Sequence, residues 1–114
     1  LSAPVRIHTG AADDWTPAKP CADLSASLKA AGQDIAINVY PDAYHSFDQA
    51  RESVYLPNVV NGANCYAQMP SILGPVAPAS IANCVKKGAN VGGSPSATEQ
   101  ARKNLRSQLD ELLK

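Results

Sequence analysis

Apolar residues follow strand-like and helix-like spacings in turn along the N-terminal part of the chain. Pro4-Val5-Arg6-Ile7-His8 is short and β-branched and runs into Thr9-Gly10, the pattern of a buried strand ending in a turn. Ala11 to Pro17 reads as a loop with two carboxylates, Asp13 and Asp14. Thr16-Pro17 predicts a helix start, with Thr16 as the cap and Pro17 in the first turn. Cys21, Leu24, Leu28 and Ala31 then recur at helical spacing until Gly32 stops the helix. Ile35-Ala36-Ile37-Asn38-Val39-Tyr40 is apolar nearly throughout, as a strand covered on both faces should be, and Pro41 ends it. Strand, helix and strand in this order predict a βαβ unit with parallel strands and a right-handed crossover. The loops Gly10–Pro17 and Pro41–Phe47 would open at the same sheet edge, where open α/β sheets place their sites.

The stretch 49–95 breaks both periods. It holds five glycines and five prolines among several asparagines, which predicts a long irregular loop with a short helix near Ser80–Lys86. A loop of that length in a compact domain is functional, braced or mobile. From residue 96 to 114 the helical period returns. Ser96-x-x-Glu99 matches a capping box. Ala101, Leu105, Leu109, Leu112 and Leu113 form one stripe opposite Arg102, Lys103, Arg106 and Asp110. The predicted partner of that stripe is the sheet of the same domain.

Two strands and two helices do not make a stable layered core, because a parallel sheet needs more strands and both faces covered. The remaining strands are expected from outside these residues: an upstream part of the same gene, a second chain, or a swapped homodimer. The 114 residues would suit one domain by size. A formal charge of zero and the absence of any basic run longer than Lys86-Lys87 argue against nucleic-acid binding. No stretch is apolar and long enough for a membrane span. The chain starts at Leu1 without a methionine, so the lack of a leader says little about compartment. Of the three cysteines at least one is unpaired within the chain. Cys65 and Cys84 lie where a disulfide would restrain the long loop, and both the paired and the free states are open. Pairing would suit a secreted or periplasmic setting, free thiols a cytoplasmic one. Cys21 on its stripe reads as a small buried hydrophobe. No Cys or His spacing matches a zinc site.

Candidate chemistry sits in the two loops. Asp13 follows the first strand and His45 the second. Adjacent strands lie about 4.8 Å apart, so loops at neighbouring strand ends can bring a carboxylate and an imidazole into contact. The carboxylate would fix the tautomer and favour the protonated ring, and the free ring nitrogen could then deprotonate a nucleophile. Asp14 is the alternative acid, or else it solvates the loop or caps the helix. His8, within a strand, reads as structural. Trp15 either lines a substrate pocket or simply packs. His8, Asp13 and His45 are metal-ligand types, but no ligand spacing supports a metal.

The pattern Gly10-x-x-Asp13-x-x-x-Pro17 after a strand, followed by helix, strand and Ala43-x-His45-Ser46-Phe47, resembles the closing part of the dienelactone hydrolase family. The resemblance covers Pro4 to about Asp48, and the last helix resembles the family's final one; Tyr44 stands where the family often has glycine. It implies the C-terminal part of an α/β-hydrolase fold, with Asp13 as the acid and His45 as the base of a Cys/Ser-His-Asp triad. It also implies a small ester or lactone as substrate, with no organic cofactor and no metal. The family's nucleophile lies in a Gly-x-Cys/Ser-x-Gly elbow, and no such elbow occurs here. Cys65 and Cys84 follow the histidine and lack the flanking glycines. Nucleophile and oxyanion donors are therefore expected from outside this chain. The alternative is a non-catalytic remnant or assembly subunit, in which the Asp13/His45 pair would have no use.

Overall fold

A computed structural model describes residues 1–66 and 83–114. Strand β1 (Val5–Gly10), helix α1 (Ala18–Ala30) and strand β2 (Ile35–Tyr40) come first. β1 and β2 pair in parallel with Val5 opposite Ile35 and Gly10 opposite Tyr40. The two strands thus end level, and the turns that follow them start side by side. α1 covers this sheet, with Ser25 its buried residue, while Leu24 remains half exposed. The Cys21–Leu28 stripe is therefore only partly buried, and Cys21 is a half-buried free thiol. Among the described residues β1 pairs with β2 alone and leaves its other edge open.

The stretch 49–95 is not one irregular loop. It contains strands β3 (Val54–Asn61) and β4 (Lys86–Val91), paired antiparallel with Val54 opposite Val91 and Asn61 opposite Lys86. The register shifts between Leu56 and Val60, where Pro57 has no N–H to give to a ladder. Glycine, proline and asparagine were read as loop signals, yet short apolar runs (Val54–Leu56, Val59-Val60) were enough to pair. Of the helix expected near Ser80–Lys86, residues 83 and 84 form a turn and Lys86 opens β4; its first residues lie outside the described ones. Cys65 and Cys84 are joined by a disulfide, and both are buried.

Helix α2 (Pro95–Leu112) starts earlier than the Ser96 capping box predicts. Its cap is Ser94, whose hydroxyl accepts from the Ala97 N–H, with Pro95 in the first turn. α2 rests on β2 through a small core of Tyr40, Ala43 and Ala97, against which Phe47 and Ala101 pack. A polar network extends this contact. His8 Nδ1 lies 2.6 Å from the Tyr40 hydroxyl and Nε2 3.0 Å from Gln108 Oε1. The Gln108 amide donates to Asn38, and Asn104 donates to the Tyr40 hydroxyl. Every bond in this set is satisfied when His8 carries its proton on Nε2 and accepts from Tyr40. The leucine stripe of α2 is less well covered: Leu105 is 47%, Leu109 45%, Leu112 39% and Leu113 79% exposed.

Candidate active site

Two turns build the site, and a glycine lets them meet. A Cβ on Gly10 would overlap the carbonyl of Ala43, which is itself fully buried. With hydrogen in its place, Ala11 N–H donates to the Tyr40 carbonyl and Ala12 N–H to the Ala43 carbonyl. The acid turn and the histidine turn are thus joined backbone to backbone. In the histidine turn Asp42 and Ser46 occupy the left-handed region, at φ 56° and 57°. Tyr44 is not among the positive-φ residues, so a side chain at that position meets no backbone penalty.

Asp13 is held from both carboxylate oxygens. Oδ1 accepts from the N–H groups of Trp15 (3.0 Å) and Thr16 (2.7 Å), an Asx-type turn. Oδ2 accepts from the Thr16 hydroxyl at 2.9 Å and lies 3.2 Å from His45 Nδ1. The Asp13 side chain is 8% exposed and that of His45 32%. An imidazole bonded so to a carboxylate carries its proton on Nδ1 and leaves Nε2 as the ring nitrogen with a free lone pair. Among the described residues Nε2 makes no hydrogen bond. The His45 side opens on a cleft of about 490 Å³ lined by both turns and by Thr98, Ala101, Arg102 and Leu105 of α2.

The remaining predicted residues fall into place around this pair. Trp15 packs its ring on that of His45, with centroids 4.9 Å apart at a tilt of 50°. Its indole N–H donates to the Val60 carbonyl of β3. Asp14 points the other way: it accepts from the backbone and side-chain amides of Asn90, at 2.9 and 2.7 Å. It is neither beside His45 nor a helix cap. His8 is bound to Tyr40 and Gln108, and no three His, Cys, Asp or Glu groups among the described residues could hold a metal ion.

Thr16 differs from its sequence reading. The helix cap is Pro17, and α1 has no side-chain cap bond. The Thr16 hydroxyl instead lies 2.9 Å from His45 Nδ1 and completes a triangle with Asp13 Oδ2. A threonine three residues after a turn aspartate was a signal available for this. Asn61 and Asn90, by contrast, carried none, since asparagine in a glycine-rich stretch reads only as loop. Asn61 is fully buried and donates to the carbonyls of Asp14 and Gly88.

No curated protein and no solved structure matches this chain. The family described as the dienelactone hydrolase family matches residues 1–71 of the 114, a span that includes both turns of the site. That family implies an α/β-hydrolase fold. With well over half its length matched, the chain belongs to the dienelactone hydrolase family.

Proposed function

We propose that these residues are the C-terminal part of an α/β-hydrolase that cleaves small esters or lactones, with Asp13 and His45 as acid and base. The observation that carries this reading is the contact of Asp13 Oδ2 with His45 Nδ1, at the edge of a cleft that His45 lines. A cysteine or serine from outside this chain attacks the acyl carbon, and His45 Nε2 takes its proton. Asp13 holds the ring and stabilises the imidazolium. The tetrahedral adduct collapses, and Nε2–H passes its proton to the leaving alkoxide, which departs as the alcohol of an ester or stays tethered to the acyl group as the hydroxyl of an opened lactone. Water, deprotonated at the same nitrogen, then attacks the acyl-enzyme, and the nucleophile leaves with the returned proton. Donors to the oxyanion also come from outside this chain. Cys65 and Cys84 are bonded to each other, so neither offers a thiol to this chemistry.

The test is hydrolysis of p-nitrophenyl acetate by the gene product that carries this chain, expressed from its own start codon. His45→Ala is expected to lower kcat by about a thousandfold or more. Equal rates for parent and variant would sink the catalytic reading in favour of a remnant or assembly subunit. The intact mass of the same product distinguishes a nucleophile on the same polypeptide from one on a partner.

A further inference from the structure

Adjacent carboxylates at the mouth of a site usually compete for one role. Here they do not, because Asp14 is engaged by the β3–β4 pair. Both of its oxygens accept from Asn90, and its backbone carbonyl accepts from buried Asn61. The neighbouring residues of β4 reach the other turn. Val91 forms a parallel bridge with His45, and Gly92 N–H donates to the His45 carbonyl at 3.0 Å. Within Asn90–Gly92, therefore, one strand grips the acid turn by a side chain and the histidine turn by its backbone. β1 and β2 bring the two turns to the same edge, but β4 sets the spacing between them a second time.

We propose that Asp14 is a positioning residue: through Asn90 it locks the acid turn to β4 and so holds Asp13 at its distance from His45. The proposal rests on the Asp13–His45 chemistry above. The bonding pattern is directional. Asn90 N–H donates to Oδ1 and Asn90 Nδ2 donates to Oδ2. Asp14→Ala removes both acceptors and leaves the Asn90 backbone and side-chain amides without their partners on the acid turn. Exchanging the two residues, as D14N/N90D, keeps the first bond and reverses the second, since the amide placed at 14 donates to the carboxylate placed at 90. The exchanged pair therefore keeps both bonds without the native residue at either position.

The experiment compares the gene product carrying this chain with its H45A, D14A and D14N/N90D forms. Two readouts are used: p-nitrophenyl acetate kinetics and the NMR signal of the His45 Nδ1 proton. D14A is expected to lower kcat about ten- to a hundredfold at a nearly unchanged KM, as a misplaced catalytic pair does. It should also shift or broaden the Nδ1 proton. The double variant should recover most of both. A D14A protein with the parent kcat and an unaltered Nδ1 proton overturns the proposal, as does a double variant no better than D14A. Full activity in H45A overturns the catalytic reading instead, and the Nδ1 proton then decides the positioning role by itself.

Discussion

Thr16 shows how one hydroxyl serves two partners. It donates to Asp13 Oδ2 and so presents a lone pair to His45 Nδ1, 2.9 Å away. The Nδ1 proton has two acceptors on one side of the ring, which narrows its rotation. Thr16→Val keeps the shape and removes the relay, leaving the direct contact with Asp13. We expect kcat to fall about tenfold, or about 1.4 kcal/mol in barrier, while Thr16→Ser stays near the parent rate. Stopped assays on both variants check this; a valine variant at full rate would assign the hydroxyl to local folding alone. The contact of Asp13 with His45 was legible in the sequence because each residue follows a strand end in a recognisable turn. Which of Asp13 and Asp14 meets His45 was indicated only by the family pattern, since both carboxylates sit in the same loop. The structure separates them by direction, one toward His45 and one toward β4.

At the scale of elements, β1, α1 and β2 were readable because their apolar spacing and punctuation agree. β3 and β4 were not, because their pairing partner is remote in sequence and their own composition favours turns. Long-range pairing of this kind has no local signature. The start of α2 failed for a different reason. Ser94 and Ser96 both have a residue suited to a first turn after them, and the capping-box pattern favoured the wrong one. The Phe47 carbonyl decides the matter, since it accepts from both Ser94 N–H and the Thr98 hydroxyl and thereby fixes where the helix begins. Ser94→Ala is accordingly expected to cost about 1 kcal/mol of stability in urea denaturation. Ser96→Ala should stay within about 0.5 kcal/mol of the parent. A reversed order of the two would contradict the Ser94 cap.

At the scale of the molecule, the layers that the described residues form are thin. The smallest extent is 17 Å and the radius of gyration 16.0 Å, against about 13 Å for a compact domain of this length. Apolar side chains on α1, α2 and β2 remain half exposed, among them Leu24, Leu109 and Val39. The sequence reading of β2 as a strand covered on both faces describes the environment its composition suits, and the described residues supply only part of that cover. This is why a proposal of strands from outside the chain follows from burial as well as from the absent nucleophile elbow. The cystine at the far end of the β3–β4 pair has a different consequence, one of connectivity. Met69 is the single methionine of the chain and lies in sequence between Cys65 and Cys84. Backbone cleavage after Met69 with cyanogen bromide therefore leaves both halves covalently tied through sulfur. Mass spectrometry under denaturing conditions should find one species before reduction and two after it. Two species before reduction would mean that Cys65 and Cys84 are not bonded. The helix α2 that walls the cleft and the strand β4 that bonds to both turns are in this sense attached to Asp13 and His45 twice, once by peptide and once by cystine.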